Sequence, residues 1–255
     1  MKRSVTAIAA IALTVGGFGI SRSHAADGSA SGVQEVLNQS AQQMKYTFIV
    51  FYKQDDAATQ SMAQTVKDGV AKRSDWATLT FVQMNNPSEK AVVERFNVGR
   101  APAPLTLAVA PNGAVTGVFV KTISDDRIAS AFVTRTKADC MKSLQQGKLV
   151  LVCVNSVQPA AFPQAVQDFQ ADPQFKDRIA VVSMQANDPK EAPFVTEMQL
   201  TAAEASNSTT VFLAPPGVLV GKFDASATQE RMAAALHKAG QCCDDPKCKH
   251  NSKSR

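Results

Sequence analysis

The chain has 255 residues, of which 45% are apolar and 19% charged. That balance supplies a packed core, at a length that points to two domains and excludes a wholly disordered chain or a coiled coil. The formal charge of +5 sits at the ends: Lys2, Arg3 and Arg22 lie near the start, and Lys247, Lys249, Lys253 and Arg255 oppose Asp244 and Asp245 near the finish. The long stretch between is neutral and holds one tryptophan and two tyrosines, so it offers neither the basic face nor the stacking platform that nucleic acid requires.

In chain order, Lys2 and Arg3 precede an apolar run over residues 5–20, and Ser23-His24-Ala25 places small residues where a signal peptidase cuts. Residues 1–25 are therefore expected to be a signal peptide, and the mature chain to be periplasmic or secreted. The run includes Gly16, Gly17 and Gly19 and falls short of the ~18 to 20 residues that span a bilayer, so no membrane span is expected in the mature chain.

Beyond a Gly/Ser-rich lead, Val33, Val36, Leu37, Ala41 and Met44 recur at helical spacing. Phe48-Ile49-Val50-Phe51-Tyr52 is a continuous apolar run, the pattern of a strand covered on both faces. The pattern predicts a helix over 58–72, a strand over 79–84 and a helix opened by Pro87-Ser88-Glu89-Lys90. A hairpin over 105–120 turns at Asn112-Gly113, and a helix capped by Ser124 is expected to run to about Arg135.

The second half repeats the order. The run 149–154 stands where 48–53 stood, 179–184 answers the strand ending at Met84, and a second hairpin turns at Pro215-Pro216-Gly217. Pro87 and Pro189 lie 102 residues apart, Phe96 and Met198 also 102, and Gly113 and Gly217 104, the near-constant offset of a duplication. The expected domains are residues 33–135 and 136–240, followed by a basic, cysteine-containing tail, 241–255. The fold class is α/β, each domain a mixed sheet flanked by helices.

Phe96-Asn97-Val98-Gly99-Arg100-Ala101-Pro102-Ala103-Pro104-Leu105-Thr106-Leu107, followed by Asn112-Gly113, resembles the thioredoxin-like superfamily, and the likeness extends over about 33–135. The resemblance implies two consecutive thioredoxin-like domains and a cis bond before Pro104, with Pro102 as the rival position. It also implies a shallow groove for an extended peptide, lined by Asp55, Asp56, Ala57, Ala58, Ala103 and Pro104. At the matching strand of the second half, Asn207-Ser208-Thr209-Thr210 carries no proline.

The chain departs from that family at its chemical centre. Thioredoxins place two cysteines at a helix N-terminus after the first strand, where the helix dipole favours the thiolate. Asp56 and Thr59 stand there in the first half, and residues 154–162 of the second half hold no cysteine. Dithiol exchange at the family site is excluded, and Asp56 is expected to cap the helix. His237, on the last helix, reads as a surface or packing residue rather than a general base, so no catalytic residue is assigned.

Of five cysteines, Cys153 sits mid-strand and is expected to be an inert buried thiol. A Cys140–Cys153 bridge fails on geometry, because helix and strand diverge from Gly147 beyond the ~7 Å Cα limit. The tail gathers Cys242, Cys243, Cys248 and His250, which admits a structural or intermolecular disulfide, a Cu(I) or Zn(II) site, or a redox-active thiol pair. The function expected is binding of a protein or extended peptide by an exported, non-catalytic thioredoxin fold. The alternative is a metal-binding or thiol-redox role for the tail.

Overall fold

A computed structural model describes residues 32–156 and 162–240. The expected signal peptide, the cysteine-containing tail and residues 157–161 lie outside the described residues.

The first half opens with helix α1 (Gly32–Gln42), strand β1 (Tyr46–Tyr52), helix α2 (Ala57–Ala71) and strand β2 (Ala77–Gln83). A 3-10 turn at Pro87–Glu89 leads into α3 (Lys90–Arg95), the hairpin β3 (Leu105–Val109) and β4 (Val115–Val120), and the short α4 (Asp125–Ser130). The sheet order is β2-β1-β3-β4, with β1 parallel to β2 and antiparallel to β3. Because β1 is central, its alternate side chains enter two different cores. Ile49 and Phe51 pack with Val33 and Leu37 of α1 and Val92 and Val93 of α3, whereas Phe48 and Val50 meet Met62 and Val66 of α2 and Ile128 of α4.

The second half follows with α5 (Arg135–Gln145), β5 (Leu149–Asn155), α6 (Gln164–Ala171), β6 (Ile179–Gln185), a 3-10 turn at Pro189–Glu191 and α7 (Ala192–Glu197). Next come α8 (Ala202–Ser206), β7 (Thr209–Ala214), β8 (Val218–Asp224) and α9 (Gln229–Lys238), and the sheet order is β6-β5-β7-β8. These are two consecutive α/β domains, each a mixed four-stranded sheet flanked by helices. Leu149, Leu151 and Cys153 face α6 and α9, while Val150, Val152 and Val154 face α5 and α7. Among the described residues no helix is long and apolar enough to cross a membrane.

Two expectations need correction. The helix capped by Ser124 ends at Ser130 rather than near Arg135. Phe132 leaves the helical path to pack on Tyr46 and Phe48, with ring centroids 4.8 and 5.8 Å away, and Thr134 then caps α5 by accepting from the Lys137 amide. The second half also inserts α8, which the first half lacks. Thr201 and Glu204 form a reciprocal capping box there, so even a five-residue helix has its first amides satisfied.

The two domains share a seam at α5. Within the first domain, just ahead of α5, the Tyr46 hydroxyl donates to the Val133 carbonyl at 2.9 Å and accepts from the Val133 amide at 3.1 Å. Gln145 brackets Val115, donating to its carbonyl at 2.7 Å and accepting from its amide at 3.0 Å. Ala110, Ala114 and Ala138 close against one another beneath these bonds.

Candidate functional site

The site implied by resemblance is assembled at one end of the first sheet. Phe51 of β1 pairs with Leu105 of β3, so the segments leaving those strands, Tyr52 onward and Pro104 backward, emerge together. Lys53 spans them by donating from Nζ to the Ala101 carbonyl at 3.5 Å. The Ala103–Pro104 bond is cis. Pro104 is buried, and its carbonyl accepts from the Lys121 amide at 2.9 Å, which ties the loop to the end of β4.

On the facing loop Asp55, Asp56, Ala57 and Ala58 are all exposed. Asp56 is the N-cap of α2: its carboxylate accepts from the Thr59 amide at 2.8 Å, and that bond holds its pKa below the ordinary carboxylate value. The Thr59 hydroxyl donates to the Gln54 carbonyl at 2.9 Å, closing the turn from below. The two positions that the resemblance equates with the family's thiols, Asp56 and Thr59, hold a capping carboxylate and a buried hydroxyl. Neither side chain carries sulfur, and the Asp56 carboxylate is engaged by the Thr59 amide.

Ala103 differs from its surroundings. Among the described residues nothing accepts from its amide or donates to its carbonyl, and it is only half-buried. A free backbone donor and acceptor on one residue at the mouth of β3 are what an added strand can pair with.

The corresponding end of the second sheet is built differently. Ser208 stands just before β7, and its hydroxyl donates to Asn155 Oδ1 at 2.9 Å. A second cis bond, Pro215–Pro216, lies in the β7–β8 turn at the opposite end. Sequence reasoning took that Pro-Pro pair as a plain turn.

Both described cysteines are free and buried. Burial pushes the Cys140 thiol up to about 12 and the Cys153 thiol up to about 11. They occupy opposite faces of the second sheet, which rules out a bridge between them more firmly than the strand-length argument does. Among the described residues no group of three His, Cys, Asp or Glu side chains comes close enough to hold a metal ion. Cys242, Cys243, Cys248 and His250 lie outside those residues. His237 is exposed on α9.

No protein-family profile matches the chain, and no curated protein matches it. Among solved structures, the NTD_N/C domain of alkylhydroperoxide reductase AhpF from Enterococcus faecalis is 13% identical, with 80% of this chain and 97% of that one covered and a TM-score of 0.29. Human ERp44 is 8% identical over 82% of this chain and 56% of its own, at a TM-score of 0.35. The first two thioredoxin domains of Saccharomyces cerevisiae Eps1p are 14% identical over 79% of this chain and 94% of theirs, at 0.30.

Sequence reasoning missed one feature outright: an apolar hollow beside the only tryptophan. Met44 and Trp76 are 64% and 69% exposed, and with Tyr46, Pro111, Phe132 and Val133 they enclose about 500 Å³. The available signal was Met44, which takes a positive φ of 57° at the second residue beyond α1, a position where glycine is the usual occupant.

Proposed function

We propose that this chain is an exported, non-catalytic binding protein that takes an extended polypeptide along the Ala103–Pro104 loop, with Asp55, Asp56, Ala57 and Ala58 lining the facing wall. The observation that carries this reading is the unpaired amide and carbonyl of Ala103 beside an exposed helix start that has no thiol. Backbone pairing of this kind gives affinity with little demand on client sequence, which suits a chaperone or adaptor.

The test is calorimetric titration of the full chain with reduced, carboxymethylated lactalbumin, a permanently unfolded probe. Ala103→Pro removes the free amide, and Pro104→Ala alters the loop that presents it. Each is expected to weaken binding at least tenfold, with far-UV circular dichroism unchanged. Equal binding by wild type and both folded variants ends the proposal.

A further inference from the structure

The rim of the hollow beside Trp76 is not dictated by the backbone, because the second half builds the same local structure with other side chains in those places. After α1 the Met44 amide donates to Ala41 and the Lys45 amide to Ser40; after α5 the Gly147 amide donates to Leu144 and the Lys148 amide to Ser143. The Tyr46 amide donates to the Trp76 carbonyl, as the Leu149 amide does to Arg178. Gly147 and Arg178 thus hold the places of Met44 and Trp76. The first half has put two large apolar side chains on an exposed rim, one of them at a backbone position that disfavours any side chain.

The chemistry of the walls selects an occupant. Tyr46 contributes its ring alone, since its hydroxyl is engaged on both sides by Val133. Three polar groups line the hollow: Asn112, Asp139 and Arg135. Asn112 Nδ2 donates to Asp139 Oδ1 at 2.8 Å, which engages one oxygen of that carboxylate and leaves its charge in place. The Arg135 guanidinium makes no hydrogen bond or ion pair with any described residue. The result is an aromatic and thioether-lined cavity whose edge carries the Arg135 cation, paired with no described residue, and the Asn112-bonded carboxylate of Asp139, of a size that accepts a small ligand.

We propose that this hollow binds an amphipathic organic acid, its alkyl or aryl body against Met44, Trp76 and Phe132 and its carboxylate at Arg135. The site is separate from the Ala103–Pro104 loop, and its occupancy does not depend on the peptide-binding proposal.

Trp76 is the chain's only tryptophan, so its emission reports this site without labelling. The experiment titrates the full chain with sodium octanoate and, separately, with octylammonium chloride, both below their micellar concentrations. Octanoate is expected to give a saturable blue shift and to bind at least tenfold more tightly than octylammonium. Arg135→Gln is expected to erase that preference, and Met44→Gly to weaken octanoate at least fivefold while melting no lower than wild type. Absence of saturation, equal affinity for the two ions in the wild type, or an undiminished preference in folded Arg135→Gln overturns the proposal. The comparison of the two ions on the wild type stands even if a variant fails to fold.

Discussion

Thr106 is fully buried on β3, and its hydroxyl finds no partner among the described residues. An unmet buried hydroxyl costs about 1 kcal/mol or more, and valine fills nearly the same space without that cost. Thr106→Val is expected to stabilise the fold by about 1 kcal/mol, read as a higher urea midpoint at constant slope. A lower midpoint would mean that the hydroxyl is bonded after all. The cysteines carry a pH signature at the same scale. Their folded pKa values, about 12 and about 11, exceed the ordinary thiol value of 9.0. The stability they contribute is therefore complete below 9.0 and is lost as pH rises from there through the folded values. Unfolding midpoints are expected to fall between pH 9 and 11, and a Cys140→Ser, Cys153→Ser double variant to fall less steeply. In the native chain at pH 8 both thiols should resist a thiol reagent until denaturant is added.

At the scale of elements, the strands were legible in the sequence because they are buried on both faces. Continuous apolar runs such as Leu149-Val150-Leu151-Val152-Cys153-Val154 leave little choice between strand and helix once turns bound them. The Asp56 cap was legible for the same local reason. What escaped was set by distant partners. Helix α4 stops at Ser130 because Phe132 has a place on Tyr46 and Phe48, across the sheet. Glu191 reads in sequence as an acid at the start of its own helix, yet its carboxylate accepts from the Thr136 amide and serves the N-terminus of α5 instead. The Met44 hollow escaped because helical periodicity absorbs a methionine without remark, and only the comparison with Gly147 exposes the backbone cost. Left-handed backbone at a residue with a side chain costs roughly 1 to 2 kcal/mol, and the added freedom of glycine when unfolded returns roughly 0.5 to 1. Met44→Gly should then stabilise the chain by about 0.5 kcal/mol or slightly more, and Gly147→Met should destabilise it by at least as much. Thermal melts of the pair decide this, and two shifts of the same sign would refute it.

For the molecule as a whole, the question is whether two domains with separate sheets unfold as one. The seam has few members, but they are well placed. Ala110, Ala114 and Ala138 are all buried, so helix α5 lies close against the first domain's hairpin while its Cys140 side packs into the second domain. One helix thus belongs to two cores. Around that small contact Gln145 and Asn112 commit their polar atoms across the seam, and each such bond is worth on the order of 1 kcal/mol. Coupling of that size, added to the shared helix, favours a single transition for the described body. Ala138→Glu places a charge among the alanines without touching either sheet, and it is expected to split the denaturation curve into two steps. Tyr46→Phe should lower a still single transition by roughly 2 kcal/mol, since two bonds to Val133 are lost. A wild type that already unfolds in two resolved steps would show that α5 does not couple the domains, and the seam would then be a simple contact between independent folds.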